Sequence, residues 1–167
     1  MIVRSIIERN NKSIEIKHIN NRTNAEACSA LLKYDSIHGK FKAEISYDES
    51  HLIINKKNIT FSQEKDLKNI NWKKYGVDFV FECTGKFNSK DKLLPHLNNG
   101  AKKVIVSAPC KKADKTIVFG VNESELKKND TIISAASCTT NCLAPVAHIL
   151  NENFEIEKGF MTTIHAF

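Results

Sequence analysis

Apolar positions along the chain follow two alternating periods. Ile2, Val3, Ile6 and Ile7 recur at helical spacing, so Met1 falls inside a helix already under way. Ile14–Ile19 (IEIKHI) predicts a strand, and Asn20-Asn21-Arg22 a turn. Thr23 with Glu26 three residues on has the form of a capping box, opening a helix that buries Ala25, Cys28, Leu31 and Leu32 and ends near Lys33–Tyr34. Residues 43–47, 51–55 and 58–61 read as short strands of a meander. Val77–Cys83 (VDFVFEC) is a strong strand running into Thr84-Gly85. Asn88 or Ser89 can cap a helix through Leu93, Leu94 and Leu97, which Gly100 stops. Further strands are predicted over Lys103–Ser107, Thr116–Val121 and Thr131–Ala135, with a helical turn over Ser124–Lys128. Strands alternating with helices, several of them continuous apolar runs, indicate an α/β fold whose parallel sheet is covered on both faces.

Composition narrows the class. With 41% hydrophobic and 26% charged residues, the 167-residue chain matches a globular protein rather than a disordered, collagenous or disulfide-dense one. No apolar run is long enough for a transmembrane helix, and MIVRSIIERN lacks the apolar core of a signal peptide. The charge of +6 comes from scattered lysines, as in Lys56-Lys57 and Lys102-Lys103, which suits a solvated surface more than a nucleic-acid face. Five cysteines without an export signal indicate reduced thiols and a cytoplasmic location.

Ser134–Pro145 (SAASCTTNCLAP) carries the chemistry. A strand ends there, a turn of small residues follows, and a helix begins with Cys138 near its start. A helix N-terminus carries roughly half a positive elementary charge and free N–H groups, which favour a thiolate and could hold an oxyanion on the carbon bonded to it. Ser137 and Thr139 flank the thiol with hydroxyls suited to an anion such as phosphate. A thiol nucleophile also needs a base or imidazolium. His148 lies roughly 15 Å along the same helix, at about 1.5 Å per residue. His165 ends Gly159–Ile164 (GFMTTI), which reads as a returning strand and makes His165 the preferred partner. Cys138, Cys142, His148 and His165 fit no zinc spacing, so no metal is expected.

SCTTNCLAP, Ser137–Pro145, resembles the active-site signature of the phosphorylating glyceraldehyde-3-phosphate dehydrogenase family. The segments LLKYDSIHGKF, ECTGKF, GAKKVIVSAP and GFMTTIHAF extend the resemblance over essentially the whole chain. It implies a Rossmann-type, doubly wound, mostly parallel sheet lacking its first strand, followed by the start of an α+β catalytic domain. Residues 1–137 would be the NAD(P)-binding domain and 138–167 the beginning of the catalytic one.

By the same resemblance Cys138 is the nucleophile, His165 its activating histidine, and Ser137 and Thr139 contact substrate or attacking phosphate. Glyceraldehyde 3-phosphate and inorganic phosphate are the implied substrates, NAD the cofactor and a homotetramer the full-length assembly. Asn21 stands where the family usually has an acidic residue gripping the adenosine ribose. That exchange removes repulsion toward a 2′-phosphate, which Arg22 could bind, so NADP enters beside NAD. Thr84, Gly85 and Phe87 match the adenine and pyrophosphate loop, and Lys65 and Ser107 further cofactor contacts. The glycine-rich turn of the family does not precede the first helix, and only two residues follow His165. The chain is therefore expected to be a fragment truncated at both ends and inactive alone. Erythrose-4-phosphate dehydrogenase, a non-catalytic nucleotide- or RNA-binding remnant, and a thiol hydrolase are the competing readings.

Overall fold

The computed structural model describes residues 1–166, which fall into two compact units, Met1–Val77 and a second from Asp78 onward.

The first unit contains helix α1 (Ile2–Glu8), strand β1 (His18–Asn20), helix α2 (Ala25–Lys33), a small hairpin of β2 (Tyr34–Asp35) and β3 (Gly39–Lys40), and strands β4 (Ile45–Tyr47), β5 (His51–Ile54) and β6 (Lys57–Ser62). The sheet order is β1-β6-β5-β4, with β1 parallel to β6 and the remaining pairs antiparallel. Asn55 and Lys56 join β5 to β6 with φ of 49° and 65°, the left-handed pair of a two-residue hairpin turn. The period-two alternation buries Leu52 and Ile54 of β5 and Ile59 and Phe61 of β6. Phe41, Ile54 and Ile59 pack with Val3 and Ile7 of α1 and Leu32 of α2, while Ala25, Leu52 and Phe61 gather Ile19 and Cys28.

Two expectations change here. The strand over Ile14–Ile19 pairs only from His18, because the ladder with β6 begins at the His18–Thr60 register. Asn24, not Thr23, caps α2: its Oδ1 accepts from the Ala27 N–H at 2.9 Å. Thr23 is taken by Asn21, whose Oδ1 accepts the Thr23 N–H at 3.2 Å.

The second unit contains β7 (Phe79–Glu82), α3 (Lys90–Asn98), β8 (Lys103–Val106), β9 (Lys115–Thr116), β10 (Ile132–Ser134) and α4 (Cys138–Phe154). Its sheet is parallel throughout, in the order β7-β8-β10-β9, and α3 packs on β8. Val80, Val104, Val106 and Ile132 form its buried interior with Leu93 of α3. Gly100 takes φ of 106° just past α3, a conformation that side chains resist, and so ends the helix as expected. At the other end of α3, Ser89 makes no side-chain cap; the entry is held by backbone bonds from Lys90 N to Lys111 O (2.9 Å) and from Lys111 N to Asn88 O (2.8 Å).

Of the run TIVFGV only Thr116 lies in β9, which pairs with β10 over Lys115–Thr116. Beyond Ile117 the backbone turns, since the Val118 N–H is donated to Asn122 Oδ1 at 2.8 Å and Phe119 is exposed. GFMTTI forms no strand: residues 155–166 contain no regular element, and no ladder supplies a partner to it among the described residues. The fold is thus α/β with a parallel sheet, and among the described residues the strands divide into two four-stranded sheets and the two-stranded hairpin of β2 and β3. No helix is long and apolar enough to cross a membrane among the described residues.

Candidate active site

The turn between β10 and α4 is built by side chains bonding backbone. Ser134, fully buried at the end of β10, donates from Oγ to Ala108 O at 2.8 Å and accepts from the Ala136 N–H at 3.1 Å. Ala136 sits at φ of 60° to make the turn. Ser137 is the N-cap of α4, its Oγ accepting the Thr140 N–H at 3.0 Å and meeting Thr140 Oγ1 at 2.7 Å. Asn141 Nδ2 donates to Ala135 O at 2.7 Å and to Ser137 O at 2.8 Å, clamping both sides of the turn. Sequence reasoning missed Asn141; the available signal was its place one helical turn after the cap.

Cys138 is thereby held as the first residue of a 17-residue helix, with its thiol exposed. Its hydrogen-bond partner is Thr139 Oγ1 at 4.0 Å. His165 lies in the irregular segment, exposed and 3.1 Å from Thr163 Oγ1. The structure does not join Cys138 to His165 by a hydrogen bond, because the strand expected to return His165 is not formed. Beside the helix mouth, Asn88, Pro109, Cys110, Lys111, Ser137 and Thr140 line a cleft of about 360 Å³. Among the other thiols, burial pushes Cys28 and Cys110 up, which keeps them protonated and poorly nucleophilic.

The residues matched to cofactor positions lie in both units. In the first, the Asn21 side chain is folded onto its own turn, accepting from Thr23 and donating from Nδ2 to Cys28 Sγ at 3.6 Å. Arg22 and Lys65 are exposed. In the second, the Thr84 N–H donates to Glu82 Oε1 at 2.7 Å, Thr84 Oγ1 accepts from the Lys86 N–H at 3.2 Å, and Gly85 occupies φ of 72°. Phe87 is half-buried, and Ser107 is tied to β7 by its N–H to Glu82 O at 3.0 Å.

Glu82 was not singled out in the sequence, although ECTGKF contains it. It is a buried carboxylate 3.3 Å from the equally buried His96 Nε2. Burial pushes the Glu82 carboxyl up, but the bonds from His96 and Thr84 together outweigh burial and hold it below its ordinary range. The signal was present as an acidic residue ending an apolar strand and a histidine on the leucine face of α3.

Residues 1–90 match the family model described as glyceraldehyde 3-phosphate dehydrogenase, NAD binding domain, and residues 137–167 that of its C-terminal domain. The glyceraldehyde-3-phosphate dehydrogenase of Thermotoga maritima is 47% identical over 167 residues, covering 100% of this chain and 50% of the relative. That of Clostridium acetobutylicum is 49% identical over 154 residues, 92% of this chain and 46% of the relative. That of Chlamydia pneumoniae is 44% identical over 167 residues, 99% of this chain and 50% of the relative. The chain spans about half the length of the curated relatives it matches. With the parallel sheet, the capped cysteine helix and both family models in agreement, the chain belongs to the glyceraldehyde 3-phosphate dehydrogenase family.

Proposed function

We propose that the whole protein to which this sequence belongs oxidises glyceraldehyde 3-phosphate to an acyl phosphate. The observation that carries the reading is an exposed thiol, Cys138, fixed at the mouth of α4 by Ser137 and Asn141. The Cys138 thiolate adds to the aldehyde carbon to give a thiohemiacetal, whose oxyanion the free N–H groups at the helix start can stabilise. Oxidation at that carbon leaves a thioester on Sγ. Inorganic phosphate then attacks the thioester carbonyl, expelling the Cys138 thiolate and releasing the acyl phosphate. His165 is assigned as the base that takes the hydroxyl proton of the thiohemiacetal, and Ser137 and Thr139 as contacts to substrate or attacking phosphate.

NAD, when bound, supplies the hydride acceptor for the oxidation. In the first unit, an amide and a guanidinium at the end of β1 suit ribose hydroxyls; in the second, taken by itself, the turn with Gly85 at φ of 72° allows close backbone approach to a phosphate group. Asn21, Arg22 and Lys65 are assigned to the adenosine side, and Thr84, Gly85, Phe87 and Ser107 to the loops near adenine and pyrophosphate. NADP is proposed as a second cofactor through Arg22. Arg22→Ala should lower kcat/KM for NADP about tenfold relative to NAD; an unchanged ratio removes Arg22 from that role.

Residues 1–137 are proposed as the NAD(P)-binding domain and 138–167 as the start of the catalytic one, in a cytoplasmic homotetramer. The names of the relatives support the glyceraldehyde substrate over erythrose 4-phosphate, and the cysteine helix argues against a purely nucleotide-binding role. Since Cys138 and His165 are not joined here, the 167-residue chain alone is expected not to turn over. The test is aldehyde- and phosphate-dependent cofactor reduction by a protein of the relatives' length carrying this sequence. Cys138→Ser should cost on the order of 10³-fold or more; full activity in that variant contradicts the reading.

A further inference from the structure

His18 opens β1 and is stacked on Tyr75, with ring centroids 3.8 Å apart and planes 10° from parallel, while Trp72 meets it edge-on at 5.7 Å. Its Nδ1 lies 2.8 Å from Thr60 Oγ1 and its Nε2 2.9 Å from Ser62 Oγ. Each hydroxyl carries one proton and has a second acceptor within reach. Thr60 Oγ1 is 2.9 Å from Lys17 O, and Ser62 Oγ is 2.7 Å from Asn20 Oδ1. The Asn20 amide is oriented by Glu64, whose N–H donates to Oδ1 at 2.9 Å and whose carbonyl accepts from Nδ2 at 3.0 Å.

A neutral imidazole has one N–H, so only one branch can run outward from the ring. With the proton on Nε2, His18 donates to Ser62, Ser62 donates to Asn20, and Thr60 turns its proton back to Nδ1, leaving the Lys17 carbonyl. With the proton on Nδ1 the flow reverses and Asn20 loses Ser62. The Thr60–Lys17 contact is exposed, so water can replace it, whereas the Ser62–Asn20 contact is partly buried. The Nε2–H tautomer therefore costs less. Burial alone lowers the His18 pKa to about 4, so the neutral ring persists at neutral pH. The elements packed around it present Thr60 and Ser62 from β6 and the Tyr75 phenol, with Lys17 beside it in the chain and Lys74 placed over the Tyr75 ring.

We propose that His18 is a positioning residue for the end of β1: its Nε2–H holds Ser62, and Ser62 holds the Asn20 side chain next to Asn21. This rests on the reading of Asn21 and Arg22 as the ribose end of the cofactor site, and it adds a residue through which that end is set.

The test is nitrogen-15 NMR of the 167-residue chain. Long-range ring correlations should show His18 as the Nε2–H tautomer at pH 7. Ser62→Ala and His18→Phe, which keeps a ring against Tyr75, should each shift the Asn20 side-chain amide signals and speed their exchange with solvent about fivefold or more. Thr60→Val should leave the tautomer and those signals in place. An Nδ1–H tautomer, or Asn20 signals that ignore Ser62→Ala, overturns the proposal. A parallel titration with NAD, on a protein of the relatives' length carrying this sequence, separates the two readings. Weaker binding in its Ser62→Ala variant supports both. No binding by the unsubstituted protein of that length counts against the cofactor reading alone, while the ring spectrum still decides the relay.

Discussion

His18 and Glu82 are shifted by burial and by local hydrogen bonds, and both shifts have a consequence for stability. His18 is pushed from 6.5 to about 4 by desolvation. The unfolded chain takes up this proton near its ordinary pKa, while the folded chain refuses it until about pH 4. The contribution of neutral His18 is therefore complete above about pH 6.5 and is lost as pH falls from there toward 4. The urea midpoint of the unsubstituted chain should drop more between pH 7 and 4.5 than that of His18→Phe; parallel slopes in the two proteins contradict the assignment. Glu82 makes a second case. Truncation by Glu82→Ala strips the Thr84 N–H and His96 of an acceptor inside the fold, and should cost about 2–3 kcal/mol by chemical denaturation. A cost below about 0.5 kcal/mol would mean that water replaces the carboxylate. Neither residue was legible as important from the sequence, because a lone histidine or glutamate in an apolar run has no meaning until its neighbours in space are known.

At the scale of elements, the alternation in LII and ITF fixed β5 and β6 well, since one-face burial is written directly into period two. The helix over Ala25–Lys33 was legible from its helical spacing, which buries Ala25 and half-buries Cys28 and Leu32 but leaves Leu31 exposed, and its cap was not legible. Thr23 and Asn24 are both competent cap residues, and the competition was decided by Asn21 claiming Thr23. TIVFGV and GFMTTI have the composition of strands, yet ladders depend on a neighbour that composition cannot supply. The start of α4 was legible because a small-residue turn before a helix has a specific chemical use. Its clamp was not, because Asn141 lies inside the helix. Asn141→Ala should destabilise by about 0.5–1.5 kcal/mol, the partial loss of two exposed bonds, and Ser137→Ala by about 1 kcal/mol. Thermal or urea unfolding of both variants checks the pair; Ser137→Ala without effect would show that Thr140 and the turn do not rely on the cap.

On the scale of the whole molecule, each of the two units has its own buried interior, and the sequence showed no linker between them because Val77 and Asp78 lie within an ordinary polar-to-apolar transition. Family membership was legible because SCTTNCLAP is long and contiguous, and it falls where the structure makes a capped helix. The pairing of Cys138 with His165 requires a segment without a ladder to be brought to the helix. The account therefore rests on the thiol at the helix mouth. Its sharpest check is iodoacetamide modification, followed by mass spectrometry, of a protein of the relatives' length carrying this sequence at pH 7. Cys138 should be carboxamidomethylated first among the five cysteines and well faster than free cysteine, with activity lost in step and aldehyde substrate protecting it. Modification of Cys138 no faster than free cysteine, or retained activity once it is blocked, contradicts the account.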